Sequence, residues 1–96
     1  MAARLEPVIP ESVRALLPLA DVWGVRDDVE RSLMVERASE DELRGMVAAV
    51  DAIPDDDLYG WLEGPESRSS DPSREYIAIT CLTMAADEAR VLLGRL

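Results

Sequence analysis

Residues 76–86 read YIAITCLTMAA, and this stretch is the most apolar part of the chain. It lies inside a longer segment, from Pro72 to Gly94, that contains no internal Gly or Pro. A helix of that length spans on the order of 35 Å, about the width of a small domain. A helix that is apolar on nearly all sides is a buried one. The stretch therefore predicts a long, buried C-terminal helix.

The first five residues of the stretch, Tyr76 to Thr80, also suit a β-strand, because aromatic and β-branched side chains favour sheets. A strand needs a partner strand, and no other segment of the chain reads as one. We therefore favour the helix over the strand for this segment.

The beginning of the chain predicts a loose arm followed by an interrupted helix. Residues 1–9 form the arm, and Pro10 with the acid after it opens the helix. Pro18 falls inside the helical pattern and lacks a backbone donor, so we expect a kink or a break there. Gly24 closes this segment.

The next helix is predicted to begin at Asp27 or Asp28 and to run to about Ala38, with an aspartate as its cap. Its apolar residues recur at helical spacing, which places them on the side that faces the core. The residues predicted to face inward are Val29, Leu33 and Met34.

Two further helices have clear limits in the sequence. The run SEDE at 39–42 fits a capping box, in which the serine hydroxyl and the glutamate carboxylate each satisfy a backbone N–H. After Pro54, the acids at 55–57 begin a short helix that the Gly-Pro at 64–65 ends. Together these elements predict one all-α domain, residues 1–96, built as a small bundle of four to five helices with a polar loop at 64–71.

The charge balance limits the class of partner. Twenty acidic residues against ten basic ones give the 96-residue chain a net charge of −10. Such a surface repels the phosphates of nucleic acid and an anionic membrane, and it attracts basic partners. We therefore expect no nucleic acid and no membrane as partner, and a basic protein as the partner that charge favours.

The side chains of a conventional active site are missing. The chain contains no His to act as a base and no Lys to form a Schiff base. Its one cysteine, Cys81, lies within the apolar stretch, where a buried core residue is expected rather than a catalytic thiolate. A single thiol and the lack of an apolar signal core in residues 1–6 predict a cytoplasmic protein. We predict no enzyme activity, no catalytic residues and no cofactor.

Residues 55–66, DDDLYGWLEGPE, partly resemble an EF-hand calcium loop. However, Tyr59 stands where an oxygen ligand is expected, and Pro65 with the polar run after it replaces the exiting helix. A zinc site needs paired Cys and His ligands, which the chain lacks. We predict no metal site. The third-ranked function is a metal-dependent enzyme using three carboxylates: Glu75, Asp87 and Glu88.

The strongest candidate for an interaction surface is the segment 51–66. It carries six carboxylates and no basic residue, with two aromatic residues in its middle. Aromatic anchors surrounded by acids are typical of a surface that binds an Arg- or Lys-rich protein. The other interpretation is that the rings fill the core while the acids cap helices and face solvent. The predicted binding residues are Asp55, Asp56, Asp57, Tyr59, Trp61, Glu63 and Glu66.

Two classes of function follow from these observations. The first is a small non-enzymatic protein-binding module: an inhibitor, an immunity-type protein or an adaptor. Residues 39–43 followed by 57–59 resemble small acidic four-helix bacteriocin immunity proteins, to which the whole chain is also similar in charge and size. This resemblance implies an inhibitor of a basic protein. The long C-terminal helix has no counterpart in that pattern. The alternative is a structural or regulatory homo-oligomer that associates through the apolar surface of residues 76–86.

Overall fold

The computed structural model describes residues 9–95, and this range forms a small helical bundle without strands, which confirms the predicted fold class. The predicted arm lies outside the described residues except for Ile9, which packs against the core. A 3₁₀ turn, Pro65–Arg68, lies within the predicted polar loop. The helices are α1 (Glu11–Arg14), α2 (Leu16–Trp23), α3 (Asp28–Arg37), α4 (Glu40–Asp51), α5 (Asp55–Leu62) and α6 (Arg74–Leu93).

Helix α6 is the 20-residue C-terminal helix, and it packs against α2, α3 and α4. The hydroxyl oxygen of Ser73 caps it by accepting the Tyr76 N–H at 3.1 Å. Residues 76–80, for which a strand was the alternative, are all helical. Most of its buried residues are small or aliphatic, which allows three helices to approach it closely. They are Ala78, Ile79, Cys81, Leu82, Thr83, Ala85, Ala86 and Ala89.

The predicted interruption of the first helix lies between α1 and α2. Pro18 has no N–H to give to the carbonyl four residues earlier, and its ring crowds that carbonyl. The helix accordingly breaks at Ala15. At its other end, Gly24 takes a left-handed φ of 64°, and the Val25 N–H reaches back to the Ala20 carbonyl at 2.9 Å. This is the ending that a glycine after the last helical residue favours.

The capping box of α4 is present as predicted. The Ser39 hydroxyl accepts the Glu42 N–H at 3.1 Å, and the Glu42 carboxylate accepts the Ser39 N–H at 3.2 Å. The cap fixes the start of the helix, so that Leu43, Met46 and Val50 fall on the buried side. These residues lie three or four apart and form one apolar stripe in the core.

The inward face predicted for α3 was wrong for two of its three residues. Val29 and Leu33 are exposed, whereas Val35 is the buried residue of this helix, and Met34 is partly buried. The helix instead turns Asp28 and Arg31 toward α6, where Arg31 forms an ion pair with Glu88. Because the side chain of Arg31, only 15% exposed, finds a partner on α6, its side of α3 can pack inward and the valine–leucine face is left to solvent.

Candidate functional site

Helix α5 presents its two faces to different surroundings. Leu58 and Trp61 are buried and lie three residues apart, so they orient the helix against the core. The first turn consists of three aspartates, and its cap residue, Pro54, makes no side-chain hydrogen bond. Carboxylates in a first turn complement the positive end of the helix dipole, which is how this short helix begins without a hydroxyl cap.

Trp61 is placed in the core rather than on the surface. It is buried, and its ring centroid lies 5.3 Å from that of Tyr76 on α6, with the planes tilted by 54°. The Tyr76 hydroxyl donates to the Leu62 carbonyl at 2.6 Å, which joins the two helices at the same point. The indole therefore packs α5 against α6 and does not present a face to a partner.

Two of the predicted binding carboxylates hold the fold together. The Ser12 hydroxyl donates to Asp57 at 2.8 Å and so ties α1 to α5. Glu66, in the 3₁₀ turn, accepts the Ser73 N–H at 2.8 Å, immediately before α6 begins. Both carboxylates satisfy polar groups in part-buried places, which gives each of them a structural role.

The remaining four predicted residues are brought together on one face. Asp55, Asp56, Tyr59 and Glu63 are all exposed, and their spacing of three or four residues places them on the same side of α5. Tyr59 is 41% exposed. The three carboxylates make no hydrogen bond or ion pair with another residue in the described range 9–95. We call these four residues the α5 acidic face.

Arg90, whose charge interacts with Tyr59, is already engaged by other carboxylates. Arg90 on α6 binds both carboxylate oxygens of Asp51, at the end of α4, with one contact at 3.0 Å, and lies 3.7 Å from Asp87. The hydrogen bond from Arg90 lowers the pKa of Asp51, and the pKa of Arg90 is raised in return, chiefly by Asp51 and to a smaller extent by Asp87 and Tyr59. The charge of Asp51 is thus balanced by Arg90, and Asp51 lies outside the α5 acidic face.

The ion pairs that join separate helices were not predicted from the sequence. Asp51 and Arg90 are 39 residues apart, and Arg31 reaches Glu88 from α3 to α6. Nothing local in the sequence marks such partners. The only signal is an arginine or a carboxylate on an otherwise apolar helix, because a charged side chain needs a partner when it is buried.

The thiol of Cys81 is buried and stays protonated. Burial raises its pKa to about 11, and the negative charge of Asp28, whose carboxylate lies 3.8 Å from the sulfur, acts in the same direction. A nucleophilic cysteine needs the opposite surroundings, namely a positive and partly open site.

The stretch that partly resembles a calcium loop forms α5, a helix, followed by the 3₁₀ turn. Within residues 9–95, His, Cys, Asp and Glu side chains form no group of three that could hold a metal ion. In the same range, every helix is too short or too polar to cross a membrane.

Comparison of the chain with protein-family models, with curated proteins and with solved structures finds no match in any of the three.

Proposed function

We propose that this protein is a non-enzymatic binding module that meets a basic protein through the α5 acidic face. One observation carries the proposal: three carboxylates that pair with nothing in the described range surround a half-exposed tyrosine on one side of a short helix. The other acids of the 51–66 segment bind groups elsewhere in the fold, whereas these three bind no other residue in the described range.

The chemistry of this face suits an arginine- or lysine-rich surface. Tyr59 offers a rigid ring with a polar tip, which is a common anchor in protein interfaces and can stack on a guanidinium group. The carboxylates of Asp55, Asp56 and Glu63 would pair with the basic side chains around that anchor. The net charge of −10 adds long-range attraction, which speeds the encounter at low salt.

An inhibitor, an immunity-type protein or an adaptor is the kind of role that we infer. Each of these acts by occupying a partner's surface and needs no reacting group of its own. The chain has no His and no Lys, and its one thiol is buried with a raised pKa, which supports a binding role over catalysis.

The experiment is affinity capture from the source organism's lysate at low and at moderate salt. The bait is wild-type protein beside an Asp55→Asn, Asp56→Asn, Glu63→Gln variant, which spares Asp57 because that residue ties α5 to α1. A basic protein should be retained by the wild type at low salt, released as salt screens the charges, and lost with the variant.

A matched control separates the α5 acidic face from total charge. The variant Glu11→Gln, Asp41→Asn, Asp71→Asn removes the same charge from exposed positions elsewhere, two of them also in the first turn of a helix. It should retain the basic protein as the wild type does. Equal loss with both variants would mean that only net charge matters, and retention by neither wild type nor control would contradict the proposal.

Self-association is the second candidate function. The observation that favours it is a set of three exposed apolar side chains on α6: Ile77, Met84 and Val91. The charge of −10 on each copy opposes it, because two such copies repel each other. Sedimentation equilibrium over a wide range of concentration tests it. A mass that stays at 10.6 kDa would remove this candidate.

A further inference from the structure

Helix α6 keeps three large apolar side chains in solvent although most of its length is buried. Ile77 is 36% exposed, Met84 is 41% exposed and Val91 is 54% exposed. They follow one another at intervals of seven residues, so they form a single line along the helix. We call this line the α6 stripe. At 1.5 Å per residue it is about 21 Å long, which is the reach of a partner helix of roughly four turns.

Each end of the α6 stripe lies in a groove between helices. The first groove, of about 570 Å³, runs beside the beginning of α6, and Leu17, Ile77 and Ala78 supply its apolar lining. The second, of about 630 Å³, lies between α3 and the end of α6, and Val35, Val91 and Leu92 supply its apolar lining. Met84 lies halfway between the two ends, so one elongated partner can contact the whole stripe.

Both grooves have acidic edges. Among the described residues, Glu36 and Glu88 line the second groove; Glu88 is paired with Arg31, so Glu36 supplies the charge that faces a partner there. The first groove has three carboxylates, those of Asp21, Asp27 and Glu75, against two arginines. One of these, Arg26, is held by Glu30 through contacts of 2.9 and 3.1 Å. An apolar line with acidic edges is complementary to a helix whose apolar face is flanked by basic side chains.

A second copy of the chain fits this surface poorly. Its own α6 stripe would bring the same acidic edges together, and each copy carries a net charge of −10. Like charges placed opposite one another oppose association. Charge complementarity therefore selects a basic occupant.

We propose that the α6 stripe and its two grooves are the docking site for an amphipathic helix with basic flanks, in which apolar side chains at seven-residue intervals cover Ile77, Met84 and Val91. This inference goes beyond the proposed function, because it concerns a surface distinct from the α5 acidic face. The two proposals can therefore succeed or fail separately.

The test is fluorescence anisotropy with a labelled synthetic helical peptide that has a leucine face flanked by arginines. Its twin, with glutamates in place of the arginines, controls for charge. The arginine peptide should bind the wild type saturably, and the glutamate peptide should not bind. An Ile77→Ala, Met84→Ala, Val91→Ala variant should bind about tenfold more weakly or worse, because it removes apolar surface but keeps good helix formers.

The matched control is Val22→Ala, Val29→Ala, Leu33→Ala, which removes a similar amount of exposed apolar surface from α2 and α3 at positions that line neither groove. It should bind like the wild type, and circular dichroism should show all variants folded. The variant of the α5 acidic face should also keep the arginine peptide, which separates this proposal from the proposed function. Equal affinity of the stripe variant and the wild type, or no saturable binding by the wild type, would overturn the proposal. So would a wild-type dimer that the stripe variant dissociates.

Discussion

Charged residues in the second half of α6 and on the exposed side of α5 differ in whether they form ion pairs. In the second half of α6, Arg90 pairs with Asp51 and Glu88 pairs with Arg31, so charge there fastens neighbouring helices to the core. In α5, the carboxylates of Asp55, Asp56 and Glu63 pair with nothing in the described range. Charge in the second half of α6 therefore belongs to the fold, whereas the carboxylates on the exposed side of α5 have no ion-pair partner in the described range and are available to a binding partner.

The largest expected effect tests whether α6 is the centre of the core. Leu82 is fully buried on α6, and Leu82→Ala should lower the free energy of unfolding by about 2–5 kcal/mol, because it removes apolar contacts and leaves a cavity. Urea unfolding followed by circular dichroism measures it. Tyr59→Ala, on the exposed side of α5, is the contrast and should change stability by no more than about 0.5 kcal/mol. A similar loss of unfolding free energy in both variants would show that α6 is not the centre of the core.

A smaller effect tests the helix that packs beside α6. Ser39→Ala removes the side-chain acceptor of the capping box and should cost about 1 kcal/mol, because the Glu42 N–H loses its partner. Differential scanning calorimetry would detect the lower melting temperature. Ser39→Asp keeps an acceptor and serves as the control. A melting temperature unchanged in Ser39→Ala would show that the cap does not hold α4 in place.

A change on α5 should raise stability rather than lower it. Gly60 lies inside the helix with open space where a Cβ would be, and its φ is not left-handed. Gly60→Ala should therefore add about 0.5–1 kcal/mol, because alanine loses less backbone freedom on folding. Gly24→Ala is the opposite control, since the φ of 64° at that position strains any residue with a Cβ. Loss of stability in Gly60→Ala would mean that the exposed side of α5 is tightly packed after all.

The smallest effect concerns the ion pair that distinguishes α6 from α5. Arg90 lowers the pKa of Asp51 in the folded protein, so the pair stabilises the fold at pH values above the ordinary aspartate pKa of about 3.9. That contribution should be lost as the pH falls through the lower, folded pKa. The free energy of unfolding, measured by urea titration at several pH values, should differ between wild type and Asp51→Asn at neutral pH and converge in acid. When Arg90→Ala is also present, Asp51→Asn should leave the free energy of unfolding unchanged at every pH.

The sequence predicted those parts of the molecule that depend on neighbours along the chain. The capping box of Ser39 and Glu42, the break caused by Pro18 and the helix end at Gly24 are local, so their residues suffice to predict them. The all-helical fold followed because a 20-residue helix without Gly or Pro dominates the chain.

The parts that failed or were missed depend on contacts between distant residues. The face of α3 is set by Glu88, which lies on another helix. At the candidate site, Asp57 is engaged by Ser12, 45 residues away, and Trp61 by Tyr76. Spacing along one helix cannot reveal such partners. For this reason only four of the seven predicted binding residues form the exposed face.

An amide NMR titration of the protein with an oligoarginine peptide at low salt tests whether the α5 acidic face binds basic groups. The α5 acidic face predicts that chemical-shift changes concentrate at residues 55–63 and saturate, and that they disappear in the Asp55→Asn, Asp56→Asn, Glu63→Gln variant. The acid-rich helix starts at 27–30 and 40–42 provide an internal comparison, since each has three acidic residues, as the α5 acidic face does, but no exposed aromatic residue. Shifts of equal size at all three places would contradict the account, because the peptide would then sense only charge.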